Sequence, residues 1–277
     1  MKNRHNKPLR YKLSIDLKFP WGISVGSDIE SLNTDKPLLL GINGHPLIPG
    51  TSVAGVIRSI FHKTHGSEDT NEYFGSIELN NPSRLRFYDL FINEPECHIR
   101  DGVGINRSSG AAHEHAKFDR EFSTINATGS LDVELDGDDE SRKTDINVLQ
   151  TINALLSAGV CRFGGGRDSG IAQSVKSHLS VWDLRKPSEL YKYISGEDGA
   201  VISNDIENSY PIKNDSKWLK VKITMGFNSP LLSNSDRTFV GPEDLLDSDH
   251  HPLSINGPDS KPVYLIPGTS IRGIFRQ

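Results

Sequence analysis

Leu47–Ser59 reads LIPGTSVAGVIRS, and Leu265–Gln277 reads LIPGTSIRGIFRQ; 8 of the 13 positions are identical at an offset of 218 residues. A match this dense within one chain marks two copies of one folding unit. The element has a physical reading of its own. Proline fixes φ, glycine permits a tight turn, and Thr51 or Ser52 is placed to cap a helix. Val53, Val56, Ile57, Ile60 and Phe61 then follow the i, i+3, i+4, i+7, i+8 spacing, which predicts a helix over about 52–62. Such a helix start turns its first N–H groups outward and suits a phosphate. Gly55 and Gly273 each cost a helix about 1 kcal/mol. A glycine kept there lets a partner come close, with Arg58 and Arg276 one turn further on to hold its charge. The plainer alternative is a capped helix whose glycine packs on a sheet.

Outward from this element, Tyr11–Phe19 alternates Leu13, Ile15, Leu17 and Phe19 with polar residues, the period of a strand with one buried face. Between them lies WGISVGSDIESLNTDKP (Trp21–Pro37), too polar for core and too long for a hairpin turn, as an exposed functional loop would be. Arg84–Ile92 reads as a second strand, and the 93–130 stretch as a long excursion without periodicity. Alternation returns at Ser130–Leu135. A helix capped by Thr144 or Asp145 follows, with Val148, Leu149, Ile152, Leu155 and Leu156 on one side, ending near Ala158–Gly159. FGGGRDSG (Phe163–Gly170) then leads into the strand-like IAQSVKSHLSVW. Strand, helix, strand, repeated, predicts an α+β domain with a ferredoxin-like core spanning 1–187. Residues 188–215 read as a linker. Residues 216–277, opening on WLKVKITMGF, read as the start of a second such domain, incomplete because its helix has barely begun at Ile271. That expectation implies packing on the first repeat or a partner, or a piece of a longer protein.

The glycine-rich loop matches neither GxxxxGK[ST] nor a GxGxxG preceded by the right strand. Its backbone N–H groups at Gly164, Gly165 and Gly166, with Arg167, could clamp a sugar-phosphate chain; a flexible turn is the alternative. Composition narrows the field further. With 35% hydrophobic residues, 25 Gly and 15 Pro in 277 residues, collagen-like and wholly disordered chains are excluded. Cys97 and Cys161 form no CxxC pair, which excludes a structural zinc site of cysteines. No apolar run is long enough to span a membrane and no secretory core follows the basic start, so the cytoplasm is the expected location. Net charge is −5, but residues 1–20 hold six bases against Asp16, while 132–140 hold six acids and no base. A basic face alongside acidic loops is the expectation.

Taken in order, these stretches resemble the RAMP superfamily, specifically the backbone subunits of type III CRISPR effector complexes. The resemblance rests on Asn33-Thr34-Asp35-Lys36-Pro37, on Ile48 to Arg58, on Phe74-Gly75 with Ser83-Arg84-Leu85, on Ile105 to Ala111 with Phe118 and Glu121, and on Gly164 to Gly170. Together they span nearly all of residues 10–180.

The resemblance implies a modified ferredoxin-like, RRM-like RAMP fold with a thumb-like insertion at about 93–127. It implies partners as well: CRISPR guide RNA, complementary target RNA and other subunits of the complex, with no membrane. Helix starts and glycine-rich loops would grip the guide through Ser52, Gly55, Arg58, Gly164, Gly165, Gly166 and Arg167, and through Arg272 and Arg276 in the second copy. The insertion would bring Arg107 to RNA, with Phe118 wedging or packing. Asp35 is the implied catalytic residue, holding Mg²⁺ or another divalent metal ion for endoribonuclease cleavage of target RNA. Asp28, in the same loop, and Asp249, before His250 and His251, are weaker catalytic candidates. His113 and His115 are acid–base alternatives, since histidine titrates near neutrality. A guide-RNA-binding backbone or capping subunit that does not cut is the rival reading; a processing endonuclease or a protein-only scaffold is a third.

Overall fold

Alternation in the first strand is realised side chain by side chain: in β1 (Leu9–Phe19), Leu9, Tyr11, Leu13, Ile15, Leu17 and Phe19 are buried and the residues between them are not. The computed structural model describes residues 7–27, 34–106, 112–165 and 169–204, with positions 224, 226, 234–235, 251–252, 254–256, 262–264, 266 and 271 beyond them. β1 lies between β7 (Ala127–Gly137) and β8 (Gln173–Asp183), antiparallel to both, with Leu13 opposite Val133 on one side and Leu179 on the other. The sheet continues through β4 (Leu90–Ile92) to β2 (Leu47–Ile48), while β3 (Leu85–Phe87) also pairs with β7. The central order is therefore β4-β7-β1-β8, all antiparallel and open at both edges. It is the arrangement of a ferredoxin-like or RRM-like sheet built from two strand–helix–strand units.

One face of the sheet carries the core. Val53, Ile57 and Phe61 of α1 (Gly50–Phe74) and Leu149, Ile152 and Leu155 of α2 (Arg142–Ser157) join the inward side chains of β1 and β7. Each such side chain contributes about 1.5–3 kcal/mol on burial.

The helix ends differ from expectation. Neither Thr51 nor Ser52 caps α1: the helix begins at Gly50 after Pro49, and the Gly50 N–H donates to the Asp89 carboxylate at 2.7 Å. A carboxylate distant in sequence has taken the capping role. The helical segment also runs past 62 to Phe74 through a break at Gly66 (φ 84°), because its last turn returns Tyr73 and Phe74 to the core. Ser141, rather than Thr144 or Asp145, precedes α2, since Asp145 is wholly buried on Arg84.

The excursion after residue 93 is ordered into a long hairpin, β5 (Cys97–Ile105) and β6 (Ala112–Ser123), which forms a two-stranded sheet of its own. Most of residues 188–204, within the stretch expected to link two domains, lie in α3 (Pro187–Ser195) and in β9 (Ala200–Asn204), which adds to the edge of the sheet beside β8. Further along the chain, Asn234–Ser235 pairs with His251–Pro252 and Ser254–Asn256 with Pro262–Tyr264. Among the described residues no helix is long and apolar enough to cross a membrane.

Candidate nucleic-acid interface

Three of the six bases at the start of the chain, Lys7, Arg10 and Lys12, are paired with acids; Lys2 and Arg4 lie outside the described residues. Antiparallel pairing of β1 with β7 lays the two opposite charge runs side by side, Arg10 opposite Asp136 and Ser14 opposite Asp132. Lys7 Nζ meets Asp138 at 2.7 Å, Lys12 Nζ meets Asp132 at 2.8 Å, and Arg10 pairs with Asp136. Arg86 adds bonds to Glu134 and Asp136 at 3.1 and 2.8 Å. For Lys7, Arg10 and Lys12 the strand register sets bases against the acidic run, so pairing joins charges that lie far apart in sequence. α3 covers the same end of the sheet: the Tyr193 hydroxyl donates to Glu134 at 3.0 Å, and its ring stacks edge-on against Trp182. The sheet face used by many RRM-like modules is thus charge-paired and partly covered.

A second place gathers several of the expected residues. Loop 34–38 runs along β6, where the Glu121 N–H donates to the Lys36 carbonyl at 3.0 Å and the Leu38 N–H to Glu121 Oε2 at 2.8 Å. Asp35 is exposed. Its Oδ2 accepts the Asp119 N–H at 3.1 Å, while Asp119 Oδ1 accepts the Asp35 N–H at 2.5 Å and the Thr34 hydroxyl at 2.8 Å. The Asp35 N–H and then the Thr34 hydroxyl hold the Asp119 carboxyl below the usual carboxylate range.

The glycine-rich loop joins this junction from the other side. The Gly165 N–H donates to the Ser24 carbonyl at 2.7 Å, and the Gly170 N–H to the Gly22 carbonyl at 2.8 Å. Gly164 has φ 78°, and a Cβ there would collide with the Ser24 carbonyl, so its identity is demanded by packing within the fold. At Gly165 a Cβ would instead stand 3.1 Å from the Arg120 guanidinium. Asp35, Gly164 and Gly165 are thus brought to one region around β6.

Around Phe118, which the sequence singles out, the hairpin contributes residues that sequence reading missed: Arg100, Arg120 and Phe122. Arg100 is directly opposite Arg120, His98 opposite Phe122, and Gly102 opposite Phe118, so one face alternates cation and aromatic ring. Arg100 lies 4.5 Å from the Phe122 centroid; Lys36 and Arg120 lie 4.9 and 5.9 Å from that of Phe118. Burial pushes the His98 imidazole down from its ordinary value, favouring its neutral form. The Phe118 ring lies over Gly102, where a Cβ would come within 2.5 Å of it. A signal was present in the sequence, the i, i+2, i+4 series Phe118, Arg120, Phe122. It has the period of a strand but lacks the apolar alternation that usually reveals one.

The residues expected at the repeated motif sit elsewhere. Ser52, Gly55 and Arg58 are exposed on α1; a Cβ at Gly55 would meet nothing within 4 Å, and Arg58 Nη2 donates to the Gly75 carbonyl at 3.2 Å. None of the contacts described for them reaches loop 34–38. Asp28, Arg107, Gly166, Arg167, Asp249, Arg272 and Arg276 lie outside the described residues, and so does His113 as a side chain. Among the described residues no group of three or more His, Cys, Asp or Glu side chains converges on a metal position.

Comparison with known proteins adds three findings. Curated proteins give no match. Among solved structures, one chain of the Type III-B Cmr-beta bound to cognate target RNA is similar at 12% sequence identity with a TM-score of 0.48, over 61% of this chain and 60% of that one. This chain thus spans well under two thirds of that neighbour. Comparison with protein families matches residues 16–171, more than half of the sequence, and on that match the chain belongs to the RAMP superfamily.

Proposed function

We propose that this chain is a guide-RNA-binding backbone or capping subunit of a type III CRISPR effector complex, with the β5–β6 hairpin as its thumb. Family membership supports the class. The observation that carries the RNA reading is the hairpin face on which Arg100 and Arg120 alternate with Phe118 and Phe122 beside Gly164–Gly165. Aromatic rings stack single-stranded bases without regard to sequence, and guanidinium groups hold the phosphates between them. Ser52, Gly55 and Arg58 would supply a second contact on the exposed face of α1. The decisive test is binding of single-stranded RNA across a salt series. The expected result is an affinity that falls with salt and is weakened by Arg100→Ala with Arg120→Ala; affinity indifferent to both would reject the reading.

A second reading, metal-dependent cleavage of target RNA at Asp35, is favoured by one observation: loop 34–38 presents Asp35 exposed and side by side with Asp119. Mg²⁺ takes one or two protein carboxylates and keeps several waters, so this donor pair fits a hydrated divalent ion. Asp35 and Asp119 would hold it, and it would supply Lewis-acid assistance to a leaving oxygen. The chain's own part would be to hold the scissile nucleotide splayed between hairpin and loop. Asp35→Ala should abolish Mg²⁺-dependent cutting in the assembled complex while complementary RNA still binds. A wild-type complex that binds complementary RNA and leaves it intact with Mg²⁺ present decides for the subunit that does not cut.

A further inference from the structure

β6 pairs with β5 along one edge; along the other, three alternate backbone N–H groups must find acceptors outside any ladder. Ser123 N–H donates to the Ile23 carbonyl at 2.8 Å and Glu121 N–H to the Lys36 carbonyl at 3.0 Å. Asp119 N–H, next in the series, finds no carbonyl: it donates to Asp35 Oδ2 at 3.1 Å. A side-chain carboxylate stands where a neighbouring strand would offer its backbone. The return bonds run from the Asp35 N–H and the Thr34 hydroxyl, both onto Asp119 Oδ1. Each aspartate therefore holds the other's backbone, across 84 residues of sequence.

We propose that Asp119 is the positioning residue for Asp35: the reciprocal pair locks loop 34–38 to the outer edge of β6, so that the Asp35 carboxylate and the hairpin change position together. The physical reason is mutual dependence. If the hairpin moves away, Asp35 loses the N–H that orients its Oδ2, and its own N–H loses its acceptor. If Asp35 turns its carboxylate elsewhere, the Asp119 N–H is left to solvent. Charge-assisted bonds of this kind are roughly twice as strong as neutral ones. Five donors join the two segments within loop 34–38, counting Lys36 and Leu38 with Glu121, so the loop behaves as a flap of the hairpin. Whatever displaces the hairpin frees the Asp35 carboxylate. The coupling is a property of the chain itself and holds whether or not Asp35 cuts RNA.

Amide hydrogen exchange on the full chain, free of RNA, tests it apart from any functional reading. Asp119→Ala should speed exchange at the Asp35 amide about tenfold, and Asp35→Ala should do the same at the Asp119 amide. Because the two bonds form one unit, the double variant should exchange the Glu121 amide no faster than the worse of the two single variants. Asp119→Asn keeps a carbonyl oxygen at the Oδ1 position and should restore slow exchange at Asp35, which a side chain needed only for its charge or for general stability would not do. Should Asp119→Ala fail to fold, the isosteric Thr34→Val removes one donor to the same oxygen and should speed exchange at the Asp35 amide, less than Asp119→Ala would. Unchanged exchange in folded variants, additive effects at Glu121, or an Asn variant as fast as the Ala variant would each overturn the proposal.

Discussion

Arg84 donates to Asp145 at 2.6 Å, to Glu72 at 2.9 Å and to the Asp136 carbonyl at 2.8 and 3.0 Å, and its guanidinium lies 4.7 Å from the Tyr73 ring centroid. One side chain ties the end of α1, the start of α2 and β7 together in the interior. Both ends of the Arg84–Asp145 pair are out of solvent, so removing one partner strands a charge. Arg84→Ala should lower stability by about 3–5 kcal/mol, read by denaturant melting, with RNA contacts untouched. The half-buried Asp119 behaves differently. Lys117 is its cationic neighbour, yet the Asp35 N–H and then the Thr34 hydroxyl are the larger influences on it, and it lies below the usual carboxylate range. A depressed folded value means that its contribution is fully present above the ordinary carboxylate range and is lost as pH falls through the folded value. The loop should therefore hold unchanged across neutral and mildly acidic pH and loosen only in strong acid, which a carbon-detected titration of the Asp119 carboxyl would show.

At the scale of elements, α1 poses a question at its exposed glycine. Gly55 has open space around it, so alanine would fit, and the helix would gain about 0.5–1 kcal/mol. Its glycine is thus explained by nothing among the described residues, in contrast with Gly164 and Gly170, whose positive φ and close carbonyls require glycine. Gly55→Ala is expected to raise the melting temperature and weaken RNA binding together. A rise in stability with unchanged affinity would remove α1 from the interface. The contrast also shows where sequence reading reaches and where it stops. β1 and α2 were legible because one face of each is apolar at a strict period. Hairpin β5–β6 was not, since both its faces carry charge and its stability comes from cation–ring pairs and from loop 34–38. The pairing of Asp35 with Asp119 leaves no local trace, and neither does the capping of α1 by Asp89: both partners are polar residues brought together by folding alone.

For the whole molecule, the issue is how a chain of net charge −5 would hold a polyanion. Net charge says little once the sheet register is known, because Lys7, Arg10 and Lys12 at the start of the chain are paired with acids of β7 and just beyond it. Among the described residues, the proposed RNA contacts are the hairpin face and the exposed side of α1. Counterion release turns this division into a measurable difference: for a single strand, removing one cation that neutralises a phosphate should reduce the slope of log affinity against log salt by about 0.7. Lys12 is held by Asp132 across the strand pair, so Lys12→Ala should leave both slope and affinity nearly unchanged and cost at most about 1 kcal/mol of stability. Arg120, opposite Arg100 and beside Gly165, should behave in the reverse way, with Arg120→Ala lowering the slope by about that amount and leaving the melting temperature in place. If Lys12→Ala instead flattens the salt dependence while Arg120→Ala does not, RNA lies on the sheet and displaces the acidic partners of β1, and the hairpin is not the platform.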